Sequence, residues 1–292
     1  MPDRALVVVY NPAAGGGGRA DEVRAAFVER GVEPTWIETT EKDAGADIAR
    51  RAVEAGARIV VAAGGDGTMR ACAEGVLDSG VPLGIIPLGT GNLLARNLEI
   101  PKDPGAAVDV VLAGVERVID VGTANGEAFV AVAGMGLDAH MMAAAVPEMK
   151  ARLGPLAYVA TAFRHLRRSP FPVELELDGD ERRLYRSTMV LIGNMRELPG
   201  GLTVFPDADP EDGWLEVLVV EASGTWGWLK AIASVIARRS RGPVHYHRAR
   251  RIRIAAPFAE LYEVDGDKRG RTRELDVVLI PRSLRVLVPA ET

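Results

Sequence analysis

The first 120 residues alternate between two periodicities, and this rhythm limits the folds open to the chain. Apolar, partly β-branched runs at Leu6–Val9, Thr35–Glu38, Ile59–Ala62 and Leu83–Ile86 read as strands. Between and after them come helix-spaced segments at Arg19–Arg30, Ala46–Glu54, Thr68–Leu77 and Asn92–Leu98. Gly31, Gly56 and Gly80 stand just past three of these helices, where glycine ends a helix at little conformational cost. Alternation of this kind predicts a parallel sheet with helices on its faces. Right-handed crossovers then bring every strand-to-helix loop to the same edge of the sheet.

Near Val121 the helices drop out. Strands are predicted at Ala128–Ala133, Val173–Leu177, Tyr185–Ile192, Leu215–Val220, Arg251–Ala255, Leu261–Val264, Leu275–Leu279 and Leu284–Val288. Asp178-Gly179, Asp212-Gly213 and Asp265-Gly266 supply turn chemistry between them. Helices are expected at Leu156–Arg168 and Thr225–Arg239. The fold class is therefore α/β plus β: a Rossmann-like parallel domain over 1–121 and an antiparallel, β-sandwich-like domain over 122–292.

Composition narrows the function. The chain has 292 residues and a net charge of −5, which gives no global pull toward nucleic acid. Cys72 is the single cysteine, so no internal disulfide forms and a reducing cytoplasm suits the chain. The apolar run before Tyr10-Asn11-Pro12 is too short for a signal-peptide core, and no uncharged apolar stretch is long enough to span a membrane.

Three glycine-rich loops follow predicted strands and open helices. They are Asn11-Pro12-Ala13-Ala14 followed by Gly15–Gly18, then Gly64-Gly65-Asp66-Gly67-Thr68, then Pro87-Leu88-Gly89-Thr90-Gly91-Asn92. Glycines there let bare N–H groups face an anion, and the helix dipole favours negative charge. Three such loops at one sheet edge converge on a polyanion, most simply a nucleotide's phosphates. Tight βα turns are the plainer use of the same glycines. Gly15-x-Gly17-x-x-Ala20 with Glu38 also fits a loose dinucleotide fingerprint, but that reading leaves Asp66 without a role. No Gly-Lys dipeptide occurs, which excludes a Walker A loop. A carboxylate beside phosphates needs a cation between them, so Asp66 points to Mg²⁺. Capping the Thr68–Leu77 helix is its alternative role.

Taken with their order along the chain, these motifs resemble the diacylglycerol kinase catalytic superfamily, and within it the soluble bacterial lipid kinases. The likeness runs through NPAAGGG, GGDGT, PLGTGNLLARNL, Ala133–Ala139, Phe205–Gly213 and Glu263–Asp267. It implies an ATP and Mg²⁺ site in the cleft between two domains. It also implies nucleotide contacts at Asn11, Thr40, Gly64, Gly65, Gly67, Thr68, Gly89, Thr90 and Asn92. By the same resemblance Asp66 belongs to the magnesium and phosphate network, Asp265 is the general base, Asp267 is a catalytic and metal-site residue that replaces the relatives' Glu in the metal or water network, and Asp212 is a structural metal ligand. Leu93 departs from an acidic position of many relatives, and Arg70-Ala71 from an Asn-Glu pair.

The expected reaction is transfer of the ATP γ-phosphoryl group to a lipid hydroxyl, most simply that of diacylglycerol. The rivals are an NAD kinase-like enzyme, another small-alcohol kinase, and a catalytically silent nucleotide or lipid binder. Met135, Leu137, Met141, Met142 and Met149 could line an acceptor groove or pack a core, and Asp138 is a candidate contact to the acceptor hydroxyl. Arg238–Arg253, with Trp226 and Trp228 before it, could dock on anionic membrane as a peripheral surface or serve as a solvated face. His245 and His247 lack partners at metal-ligand spacing. No nucleic-acid partner is expected, and a homodimer is compatible with the sequence.

Overall fold

The structure is a computed structural model of the chain and describes residues 3–14, 19–136, 169–180, 182–198, 202–236 and 242–290. The predicted helix at 156–168 and the candidate residues Leu137, Asp138, Met141, Met142 and Met149 lie outside the described residues, as do Gly15–Gly18 and Arg238, Arg239 and Arg241.

Two compact units form, one of Met1–Asp120 with Pro281–Thr292, the other of Val121–Ile280. The first switch point thus falls one residue from the expected boundary, but the last segment differs from expectation. It returns to the first unit, where Val286 pairs in parallel with Leu83. Leu284–Val288 is apolar enough for any buried strand, and hydrophobic pattern does not say which sheet receives it.

In the first unit β1 (Asp3–Tyr10) lies between β2 (Pro34–Glu38) and β3 (Ile59–Gly64), and β3 pairs with β4 (Leu83–Pro87), all in parallel. Val60, Val61, Ala62 and Ala63 are fully buried, as a central strand covered on both faces requires. The helices are α1 (Arg19–Glu29), α2 (Ala46–Glu54), α3 (Asp66–Val76), α4 (Leu93–Asn97) and α5 (Pro104–Ala113). A Cβ on Gly75 of α3 would stand 2.4 Å from the Ala46 carbonyl oxygen and 2.7 Å from the Ala49 Cβ, so glycine lets α2 and α3 cross closely. Arg30, just past α1, reaches Asp109 of α5 with two parallel hydrogen bonds, Nε–Oδ1 at 2.5 Å and Nη2–Oδ2 at 2.8 Å. The helix α5 was not anticipated, although Asp103 caps it by accepting from the Ala106 N–H and Pro104 opens it.

The second unit is built from antiparallel pairs. β5 (Val115–Ala124) enters it and turns through Asn125-Gly126 into β6 (Glu127–Phe129). Next come β7 (Val132–Gly136), β8 (Phe171–Leu177), β9 (Arg183–Ser187), β10 (Met189–Gly193), and the short pair β11 (Glu197–Leu198) and β12 (Leu202–Thr203). β13 (Leu215–Val220) precedes α6 (Gly224–Ile236), then β14 (Val244–Ala249), β15 (Arg251–Val264) and β16 (Asp267–Val288), whose last residues rejoin the first unit.

β15 organises this unit. Its first half pairs with β8 over Ile252–Ala255, its register shifts between Ala255 and Glu260, and Tyr262–Val264 then pair with β7. A bulged strand that serves two sets of neighbours is how sandwich-like sheets turn a corner. Inward residues from both sets, among them Phe129, Leu175, Val190, Val217, Ile254 and Val277, form one core. Burying each such side chain contributes about 1.5–3 kcal/mol.

Candidate nucleotide-binding site

The second and third loops of the first unit meet backbone to backbone. A Cβ on Gly89 would lie 2.6 Å from the Gly65 Cα, and one on Gly64 would collide with the Thr68 side chain at 2.7 Å. The Leu88 N–H donates to the Gly64 carbonyl at 2.8 Å and locks the pair. Glycine at 89 admits this backbone approach, and glycine at 64 leaves room for the Thr68 side chain.

Asp66 joins the same two loops. Its Oδ2 accepts the Asn92 N–H at 2.9 Å and its Oδ1 accepts the Leu93 N–H. Gly91 lies under the carboxylate, since a Cβ there would sit 2.6 Å from Oδ2. Gly65, not Asp66, is the cap residue of α3, and it offers no side-chain cap, so the capping role considered for Asp66 falls on the start of α4 instead. The Leu93 side chain is buried, and its backbone N–H donates to Asp66. Ala71 is buried within α3.

Asn92 holds the third loop in shape. It adopts a left-handed conformation (φ 48°), accepts the Gly89 N–H at 3.0 Å and donates to the Gly89 carbonyl at 2.7 Å. Asn11 ties the first loop to α3. Its Nδ2 donates to the buried Thr68 hydroxyl at 3.2 Å, and its Oδ1 accepts the Ala13 N–H at 2.9 Å. The three loops together enclose a cavity of about 590 Å³ lined by Asn11, Ala13, Ala14, Arg19, Gly65, Leu88, Gly89 and Thr90. Of the sequence-predicted contacts, Asn11, Gly65, Gly89 and Thr90 line it, while Gly64, Thr68 and Asn92 brace its walls. Gly67 lies in the first turn of α3. Thr40 is apart from the lining and its hydroxyl accepts the Asp43 N–H in a local turn. Arg19 was not anticipated. The signal was available, a lone cation directly after a glycine run at the start of a helix.

The remaining carboxylates belong to the second unit. Asp265 and Gly266 both have positive φ, 47° and 84°, and close the β15–β16 hairpin. The turn reading therefore holds, yet the Asp265 side chain is also buried. Its Oδ1 accepts the Ala131 and Val132 N–H groups at 2.8 and 2.9 Å, and its Oδ2 accepts the Val130 N–H at 2.9 Å. Three N–H donors stabilise the ionised carboxylate and fix its position. Asp267, half-exposed, lies 3.5 Å from the Arg269 guanidinium, which also pairs with Glu127 at 2.7 Å. Asp212 accepts the Trp214 N–H and is ion-paired with Arg248, whose Nε holds Glu216 at 2.7 Å. Burial raises the Glu216 carboxyl above its ordinary value, and Arg248 opposes that shift. The cation facing Asp212 is thus an arginine. Among the described residues no three His, Cys, Asp or Glu side chains gather as metal ligands. Met135 is fully buried in the second unit's core.

Much of the expected basic surface is paired. Arg248 faces Asp212 and Glu216, Arg253 faces Glu274 and Asp276, and Arg250 lies over the Trp214 ring. His245 contacts Glu221 at 3.0 Å, and His247 lies between the Tyr185 hydroxyl and Arg183. No helix among the described residues is long and apolar enough to cross a membrane.

A parallel α/β unit with glycine loops at its strand ends, joined to an antiparallel β unit, defines a two-domain fold of the lipid and NAD kinase kind. Residues 5–124 match the diacylglycerol kinase catalytic domain, and residues 131–288 match the YegS C-terminal NAD kinase beta sandwich-like domain. The chain belongs to the diacylglycerol kinase catalytic-domain family. It is 28% identical to a diacylglycerol kinase of Bacillus subtilis (strain 168), covering 97% of this chain and 96% of that one. It is 29% identical to a diacylglycerol kinase of Mycobacterium tuberculosis (strain CDC 1551 / Oshkosh), covering 97% and 95%. A crystal structure of a diacylglycerol kinase from Bacillus anthracis str. Sterne shares the fold, with a TM-score of 0.74 and 21% identity over 98% of this chain and 97% of that one.

Proposed function

We propose that this chain is an ATP-dependent lipid kinase that transfers the γ-phosphoryl group to a lipid hydroxyl, with diacylglycerol as acceptor and phosphatidic acid as product. One observation carries the reading: three interlocked strand-end loops around a single cavity, in a chain whose two halves match the two domains of this family. Phosphoryl transfer rests mainly on positioning and charge neutralisation, with little covalent chemistry left to the protein. Gly65 and Thr90 offer backbone N–H and hydroxyl groups to phosphate oxygens, while Gly89, whose N–H is held by Asn92, keeps the wall free of a side chain. Asn11 and Asn92 hold those loops in place, so the cradle exists before the nucleotide arrives.

Asp66 would hold magnesium. Each of its oxygens accepts one backbone N–H, and a carboxylate oxygen carries a second lone pair, so one carboxylate with phosphate oxygens and water makes an acceptable donor set. When bound, the ion supplies charge neutralisation between carboxylate and phosphates. Asp265 would receive the acceptor's proton. A loose transition state needs only a weak base, and a fixed, ionised carboxylate meets that need.

The test is a radiolabelled γ-phosphate transfer assay over diacylglycerol, monoacylglycerol, a sphingoid base and NAD. Labelled phosphatidic acid is the expected product. NADP would move the assignment to an NAD kinase-like enzyme, and ATP binding with no product to a silent binder.

A further inference from the structure

Arg19 is the only ionisable residue among those lining the 590 Å³ cavity. It opens α1, directly after the first loop. One of its terminal nitrogens, Nη2, donates to the Lys102 carbonyl at 3.0 Å, which anchors the guanidinium to the segment leading into α5. Among the described residues no carboxylate pairs with it. This contrasts with Arg30, Arg248 and Arg253, each held by one or two acidic partners. A guanidinium carries five N–H groups in a rigid fork, and one hydrogen bond leaves most of them unused. The rest of the wall offers backbone amides and small side chains, with the Asn11 amide and the Thr90 hydroxyl as its polar side chains. An anchored, unpaired cation in an otherwise neutral cavity is arranged for an anion.

We infer that Arg19 is a phosphate-binding residue of this cavity, the fixed positive charge that receives a polyphosphate independently of any metal. The inference deepens the ATP-site reading and rests on it for the identity of the natural ligand. It does not rest on it for the chemistry, because the cavity would take any compact polyphosphate. The Lys102 carbonyl bond gives Arg19 a defined reach, so lysine, a flexible point charge with no fork, replaces it only in part.

Calorimetric titration in EDTA tests the assignment with two probes, ATP and inorganic tripolyphosphate, on the full chain and on R19A and R19K. Adenosine serves as the uncharged control. Loss of a charge-assisted bidentate contact predicts a roughly 10- to 100-fold weaker dissociation constant for both anions in R19A. R19K should fall between, and adenosine affinity should not change. Arg19 is partly exposed, so the variants should melt with the parent, and thermal scans check this. Equal affinities for both anions in parent and R19A overturn the assignment while leaving the ATP-site reading intact. Tripolyphosphate binding that depends on Arg19, with no ATP binding in the parent either in EDTA or with Mg²⁺ added, sustains the assignment and defeats the nucleotide reading. Failure of the parent to bind either anion in EDTA overturns the assignment, and failure to bind ATP when Mg²⁺ is added overturns the ATP-site reading as well.

Discussion

Replacing Asp265 by asparagine separates a structural carboxylate from a purely catalytic one. The backbone tolerates the change, because both residues accept the left-handed conformation that the hairpin imposes. What changes is the acceptor set. Oδ1 takes two N–H groups and Oδ2 takes one. With the amide oxygen in the Oδ1 position, the Val130 N–H faces an NH2 group. In the flipped orientation two donors do. At least one buried N–H is therefore unsatisfied, at about 1–3 kcal/mol, and the surviving bonds lose their charge assistance at about 0.5–1 kcal/mol each. The total of roughly 2–5 kcal/mol should lower the melting transition of the second unit by about 5–15 °C. Scanning calorimetry reads this directly. Kinase turnover is then measured well below the variant's transition, where a lost general base should appear as a drop of about 10²- to 10⁴-fold in kcat with the ATP KM unchanged. A variant that melts within a degree of the parent would refute the three-donor argument, whatever its activity. Near-normal turnover in a folded variant would refute the base assignment alone.

Further outcomes follow from the same contacts. Gly89→Ala forces a Cβ to 2.6 Å from the Gly65 backbone, which cannot move aside as a side chain could. It should cost about 1–3 kcal/mol and weaken ATP binding, read by thermal melting and titration. Arg248→Met removes the cation shared by Asp212 and Glu216. It should destabilise the second unit at neutral pH and do so less near pH 5, as Glu216, already raised by burial, takes up its proton. An equal loss at both pH values would contradict this. The His247 ring is held below its ordinary value of 6.5, first by burial and then by Arg183 and His245. A depressed histidine favours the folded state above the unfolded-state value and loses that contribution as pH falls through 6.5 toward the folded value. His247→Gln should therefore flatten the acid side of the melting-temperature profile between about pH 5 and 7. Trp226, 76% exposed on α6, should support binding to anionic vesicles if the chain acts at a membrane surface, and Trp226→Ala should reduce sedimentation with them.

The legible parts of this protein were those written in local pattern. Ala46–Glu54 and Leu215–Val220 appear with the predicted ends because helix and strand periods there meet clean breaks. The glycine loops could be read because a backbone that approaches another backbone has no substitute for glycine. Long-range contacts were less visible. Tyr185–Ile192 reads as one strand, yet Ser187 and Thr188 turn their hydroxyls to the Val220 carbonyl and divide it into β9 and β10. β14 was hidden inside a run that looked like a basic surface, because cross-strand carboxylates such as Glu216 and Glu221 lie tens of residues from the Arg248 and His245 side chains they meet. The same holds for function. Asp66 could be marked as unusual from sequence, but its partners, the Asn92 and Leu93 amides, are backbone groups that no residue identity announces. A leucine can therefore replace an acidic residue at position 93 and leave the fold of the loop untouched, because the loop uses that residue's N–H.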